Sequence, residues 1–177
     1  MSPQAVQVYN TFLALLALVA LAAAASLTSY RIWRGPEAAQ RISNPAVLWA
    51  AWVVAAVATV GSLIYSEVIH FVPCRLCWFQ RIAMYPMSVV LLVGAVRRDV
   101  AARFYALPLA LTGLAISIWH NIVQLFPAAE GGSCDPAVPC SAKYVNVFDF
   151  ISIPFMAGAG FTLIAVLLLF YVRPSNE

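Results

Sequence analysis

The sequence predicts an all-α integral membrane protein that crosses the bilayer five times, with its N-terminus outside. Three observations carry that prediction. Of the 177 residues, 63% are hydrophobic and 10% are charged, a balance that excludes an ordinary soluble domain. Five stretches approach the roughly 20 apolar residues that a helix needs to cross a hydrocarbon core. The positive charges fall mostly into alternate connections between those stretches.

The first span, Tyr9 to Tyr30, carries no charge and is rich in Ala and Leu. Residues 1–10 contain no Lys or Arg, so the basic flank of a cleaved signal is missing there. That flank comes afterwards, at Arg31, Arg34 and Arg41, which favours an uncleaved helix. Ala46 to Ser66 is the second span. The third runs from about Trp78 to Val96, with Arg81 in its first turns and Pro86 inside it. Phe104 to Phe126 and Phe150 to Val172 complete the set, and no internal repeat is visible.

If all five cross, Arg31, Arg34, Arg41, Arg97, Arg98, Arg103 and Arg173 share one side. Only Arg75, Arg81 and Lys143 fall on the other. Seven against three assigns the first group to the cytoplasm. Residues 1–44 then form an N-terminal transmembrane helix with a basic cytoplasmic loop. Residues 45–177 form a four-helix bundle with two extracytoplasmic cysteine loops.

The four cysteines fall in two pairs, and both face outward under this topology. Cys74 and Cys77 have Cys-x-x-Cys spacing at the mouth of the third span. Such a pair opens and closes a small disulfide ring in a two-electron reaction. Half of a metal site, or two inert thiols, are the other readings. Cys134 and Cys140 lie in a Gly- and Pro-rich loop, where five intervening residues allow a bridge without demanding one. A static structural disulfide is the plain reading of that second pair. Two pairs on one face, one of them at the membrane edge, point instead to a relay.

Thiol–disulfide exchange moves electrons between sulfurs but cannot dispose of them. Trp78 follows Cys77, so the haem signature Cys-x-x-Cys-His is absent, and no glycine-rich dinucleotide fingerprint occurs. In a chain that is nearly all membrane, the natural acceptor is a lipid-soluble quinone. Arg81 suits such a site, because a charge inside a span is costly and usually marks function. It follows Cys77 by one helical turn, so both can face one pocket, where the guanidinium can donate to a quinone oxygen. The plain alternative is snorkelling to the outer headgroups. His120, with Gln124 on the same helical face, lies near the outer end of span four, at the depth of a quinone ring. Hydrogen-bonded packing is its plainer role. Glu67 and His70 read as interface anchors, with Glu67 a possible partner of Arg81. Tyr65, Trp78 and Tyr144 read as the aromatic belt.

Several stretches carry a family resemblance. Ser66-Glu67, Pro73-Cys74-Arg75-Leu76-Cys77-Trp78-Phe79-Gln80-Arg81 and Met84-Tyr85-Pro86 come first. His120, Gln124-Leu125-Phe126-Pro127, Cys134-Asp135, Cys140 and Phe148 to Pro154 follow. Together, over roughly Ala46 to Val172, they resemble the DsbB family of quinone-dependent disulfide oxidoreductases, particularly its BdbC-like branch. The resemblance implies a DsbB-like four-helix transmembrane bundle in a bacterial cytoplasmic (inner) membrane, with its cysteine loops on the extracytoplasmic face. It also implies a DsbA-like thioredoxin-fold partner, and a quinone (ubiquinone or menaquinone) as acceptor. Carried over, Cys134 forms the mixed disulfide with the partner and Cys140 is its pair. Cys74 receives the electrons through an interloop disulfide, and Cys77 is the thiolate nearest the quinone. Arg81 and His120 match the family's quinone-site residues, and Gln124 joins them. No metal site and no nucleic-acid partner are implied.

Two features depart from the family pattern: the additional N-terminal helix, and the short segment between Cys134 and Cys140. Three alternatives stand beside this reading. One is a four-Cys membrane scaffold around structural zinc. Another is a vitamin K epoxide reductase-like protein, although in those the loop pair precedes the Cys-x-x-Cys. The third is a transporter with static disulfides, which the short chain and lack of repeats disfavour.

Overall fold

A computed structural model describes residues 2–35, 44–132 and 134–172. Arg41 and Arg173, two of the seven arginines that set the orientation, lie outside the described residues, as does Ser133 in the second cysteine loop. Five helices make up the frame: α1 (Pro3–Arg34), α2 (Asn44–Leu63), α3 (Arg75–Arg97), α4 (Ala102–Leu125) and α5 (Ile153–Phe170). A π-helical turn, Ile64–Val68, continues α2. Each helix, α2 together with that turn, is long and apolar enough to cross a membrane.

The helix ends follow local chemistry. Ser2 caps α1 by accepting the Ala5 amide at 3.3 Å, with Pro3 in the first turn. At 32 residues, α1 is about 48 Å long and overspans a core of about 30 Å. Cys74 itself caps α3, so the helix that carries the arginine starts on a redox sulfur. At its other end α3 stops at Arg98, in the left-handed conformation, and the Asp99 amide reaches back to the Gly94 carbonyl at 2.9 Å. That tight turn holds Arg97, Arg98 and Arg103 at the end opposite the cysteines. The last helix begins at Ile153, three residues later than the hydropathy suggests. Val147 and Ile151 exchange backbone hydrogen bonds of 3.0 and 2.9 Å just before it, and Pro154 then sets the first turn.

Helices α2 to α5 pack in a ring, each against the next, and α5 closes back onto α2. In lipid, helices associate by close packing rather than by escape from water, so small residues govern the contacts. Gly113 on α4 is the clearest case: a Cβ there would overlap the ring of Phe161, which is fully buried on α5. Met84, Met87 and Leu91 of α3, Leu48 of α2, and Ile164 and Leu168 of α5 fill the centre. Helix α1 stands outside this ring and packs chiefly on α5. Its buried positions, Ala14, Ala17 and Ala24, are all alanine, which lets the two backbones approach.

Candidate active site

Both cysteine pairs lie at one end of the bundle, in one apolar cluster with Val123. The first pair is positioned by the start of α3. Cys74 accepts the Cys77 amide at 3.3 Å as the helix cap, and the two sulfurs stand 2.8 Å apart as free thiols. Little motion separates that distance from a bonded one of about 2.05 Å. Cys74 lies just ahead of the span. The hydrogen bond from the Cys77 thiol, with further contributions from His120 and the Cys77 amide, holds its thiol below the ordinary range despite burial.

The second pair is closed: Cys134 and Cys140 form a disulfide with Cα atoms 5.9 Å apart. Asp135 folds the short loop, its carboxylate accepting the Ala137 amide at 2.9 Å and its carbonyl the Val138 amide at 3.0 Å. Both are buried, Cys140 completely and Cys134 at 8% exposure.

His120 joins the two pairs. Its Nε2 lies 3.0 Å from the Cys140 carbonyl and 3.7 Å from the Cys74 sulfur. A carbonyl can only accept, so Nε2 carries the proton, and Nδ1 is left as a bare, buried nitrogen without a hydrogen-bond partner. One turn on, the Gln124 amide donates to the Ala142 carbonyl at 3.3 Å. His120 and Gln124 thus share a face, as their spacing requires, and that face holds the second cysteine loop.

Arg81 points elsewhere. It donates to the Ser62 carbonyl at 2.9 Å rather than pairing with Glu67, and its guanidinium lies 5.3 Å from the Trp78 ring. The π turn explains the acceptor. Widening the helix at Ile64–Val68 breaks the regular ladder, and the carbonyls before it become available to side chains. Gly61 and Ser62, adjacent in sequence, accept from Tyr9 at 3.1 Å and from Arg81.

Arg81 and Cys77 line the cysteine-side end of a cavity of about 330 Å³ between α1, α2, α3 and α5. Beyond them its walls are almost wholly apolar. The volume is in the range of small-molecule sites. Neither His120 nor Gln124 is among its lining residues. The four residues grouped by sequence as quinone-binding therefore divide: Cys77 and Arg81 face the cavity, and His120 and Gln124 face the loop disulfide. A headgroup ring fits beside Cys77 and Arg81, with hydrocarbon accommodated below.

Two further features were not visible in the sequence. Tyr65, expected in the aromatic belt, is 5% exposed and stacks on Phe71 at 5.8 Å, which in turn stacks on Tyr144 at 5.1 Å. These three rings roof the cavity, whereas Trp78 is 53% exposed, as a belt residue should be. Glu130 is the second. It follows no motif, yet its carboxylate accepts the Cys140 amide at 2.8 Å. The hydrogen bond from Ser141, then that from the Cys140 amide, hold Glu130 below the usual carboxylate range. A depressed carboxyl stabilises the loop at neutral pH, and that support is lost as the pH falls through the folded pKa. Glu130→Ala is therefore expected to speed reduction of the loop disulfide by dithiothreitol about three- to tenfold near pH 7, an effect of about 1 kcal/mol. Relative to a model disulfide, which corrects for the thiolate fraction of dithiothreitol, it should also remove the faster reduction expected as Glu130 protonates. Alkylation and mass spectrometry read both, and an unchanged rate and pH profile would count against the role.

As for metals, Cys74, Cys77 and His120 offer three donors within 4.8 Å of one another. A closed structural zinc site needs four. The four-cysteine zinc scaffold is not what this arrangement builds, because Cys134 and Cys140 are bonded to each other.

A family model described as Disulfide bond formation protein DsbB matches residues 44–171. The "Probable disulfide formation protein" of Oceanobacillus iheyensis is 46% identical over 71% of this chain and 88% of its own length. "Disulfide bond formation protein C" of Bacillus subtilis is 45% identical over 73% of this chain and 95% of its own. No solved structure matches the chain. Helix α1 lies wholly outside the residues that the family model covers.

Proposed function

The chain belongs to the DsbB family of disulfide bond formation proteins, and from that premise we propose that it reoxidises a thioredoxin-fold, DsbA-like partner and passes the electrons to a membrane quinone. The coarser activity, a multi-pass membrane disulfide oxidoreductase, comes with the family. The observation that carries the finer reading is the single nitrogen of His120 between Cys74 and the Cys140 carbonyl, with Cys77 opening onto an apolar cavity. Both cysteine pairs share one cluster, and Cys77 also lines the apolar cavity.

The steps follow the roles carried over from the family to the four cysteines. The partner's thiolate attacks Cys134, breaking the Cys134–Cys140 bond and freeing Cys140 as thiolate. Cys140 then attacks Cys74 of an oxidised Cys74–Cys77 pair, and Cys77 leaves as thiolate at the cavity. The partner's second thiol displaces Cys134 and departs oxidised. Cys134 attacks Cys140 and restores the loop disulfide, which releases Cys74. Cys77 and Arg81 would hold a quinone, which when bound would supply the two-electron, two-proton sink that lets Cys74 and Cys77 close again to a disulfide. Arg81 orients and stabilises charge on the acceptor's oxygen, and the His120 imidazole, against Cys74 through Nε2, stabilises a thiolate there. Placing Arg31, Arg34, Arg97, Arg98 and Arg103 in the bacterial cytoplasm sets both cysteine loops on the outer face of the inner membrane.

The test mixes purified protein with a reduced thioredoxin-fold partner and a quinone, following quinone absorbance and partner thiols together. One quinol per partner disulfide is expected. Partner oxidation without quinol would sink the quinone assignment. Alkylation in intact cells that placed Cys74 and Cys134 on opposite sides of the bilayer would sink the relay.

A further inference from the structure

Helix α1 is tied to the bundle by hydrogen bonds near both ends and packs on α5 between them through Ala14, Ala17 and Ala24. At the cysteine-side end, Tyr9 donates to the Gly61 carbonyl at 3.1 Å, and Tyr65 donates to Asn10 at 2.9 Å. The rings of Tyr9 and Tyr65 also meet edge to face at 5.2 Å. At the opposite end, Tyr171 donates to the Leu27 carbonyl at 2.8 Å. Between these ties, Leu13 to Ala23 of α1 form one wall of the cavity that begins at Cys77 and Arg81. Ten residues of helix give that wall about 15 Å of depth.

The cavity is therefore graded along its length. Its cysteine-side end holds a thiol, a guanidinium and the Gln80 amide, and its deeper part is hydrocarbon from α1, α2 and α5. A ring with polar oxygens and a long apolar tail matches that gradient; a polar solute does not. Alanines at 17, 20 and 23 leave the space open, where larger side chains on the same face would fill it. The wall is also coupled to the head site, since Tyr9 and Arg81 hold adjacent carbonyls of α2.

The geometry points to α1 as the tail-binding wall of the acceptor site: the polyprenyl chain of the quinone lies in the groove between α1, α2 and α5, and Ala20 and Ala23 set the room it has. This rests on the function proposed above and gives a role to a helix outside the family's matched region.

The test is equilibrium binding in lipid nanodiscs, read by quenching of tryptophan fluorescence. One probe is a quinone with a long polyprenyl tail, and the other is the same ring with a methyl group in place of the tail. At equal concentration within the bilayer, wild type should bind the tailed quinone several-fold more tightly, a margin set by packing of the tail against α1 rather than by escape from water. Ala20→Phe and Ala23→Phe should bring the tailed quinone down to the level of the short one. The short quinone itself should change by less than about twofold, which also reports that the variants are folded. Ala22→Phe, on the exposed face of α1, should behave as wild type. Should the phenylalanine variants not fold, Leu16→Ala widens the groove and should weaken only the tailed quinone, several-fold.

Equal losses for both quinones would make α1 a structural support and overturn the inference. So would binding that ignores every α1 substitution, the result expected if bulk lipid occupies the groove. In either case the proposed function stands, because quinone still binds. If wild type binds neither probe, the proposed function fails and this inference with it.

Discussion

Cys77→Ser is expected to reduce quinol formation to background, a loss of roughly three orders of magnitude or more, while one equivalent of partner is still oxidised. Serine preserves the size of the side chain and the start of α3, but an alcohol cannot form a disulfide and is a poor nucleophile at neutral pH. The loop disulfide is chemically independent of Cys77, so a reduced partner can still open Cys134–Cys140 once. Thereafter the freed Cys140 meets Cys74 as a lone thiol, with no bond to attack, and electrons stop at the loop. The measurement is a burst: one partner disulfide per protein, then no turnover, with quinone absorbance flat. Sustained turnover would mean that Cys77 is not the exit sulfur, and the static-disulfide reading would regain its place.

His120→Ala should slow exchange between the two pairs by about a hundredfold, the usual scale for loss of a positioned acid–base group. Two effects combine. Removing the imidazole leaves the buried Cys140 carbonyl without its donor, a cost of about 1–3 kcal/mol in the positioning of the loop. It also removes the imidazole that lies against Cys74, whose second nitrogen, Nδ1, has no hydrogen-bond partner. His120→Gln separates these effects. Its amide can restore the hydrogen bond to Cys140, and hence thermal stability, but it cannot take a proton, so the exchange rate should stay low. Quenched-flow trapping of the Cys74–Cys140 species measures the step directly. Arg81→Ala provides the contrast. It should raise the quinone KM by about tenfold, the loss of a charge-assisted hydrogen bond, and leave the exchange rate untouched. If His120→Ala altered quinone KM and Arg81→Ala altered exchange, the two faces of the site would have been assigned the wrong way round.

These contrasts depend on a division that no reading of the chain could supply. Arg81 and His120 are both polar groups at the outer ends of apolar helices, and by depth alone they belong to one site. The structure sends them to opposite sides of the start of α3, one to the cavity and one to the loop. A helix in water announces its buried face by an apolar stripe. A helix in lipid does not, because the surroundings are as apolar as the core. The orientation of α3 is decided by sterics, in contacts such as those of Met84 and Met87, and by hydrogen bonds such as Gln80 to Ser117 at 3.1 Å.

Local composition was therefore enough for everything that depends on one segment at a time. Span count follows from the length of apolar runs, the shared end of both cysteine pairs from counting crossings, and the two-electron chemistry from Cys-x-x-Cys spacing. Tertiary packing alone decided what depends on two segments meeting. It placed Glu130 under Cys140, opened carbonyls of α2 at a π turn that no residue pattern signals, and set α1 along the cavity as a wall. The reason is physical: transfer into lipid is a sum over the residues of one helix, whereas the fit between helices depends on shapes that only coexist once the bundle has formed.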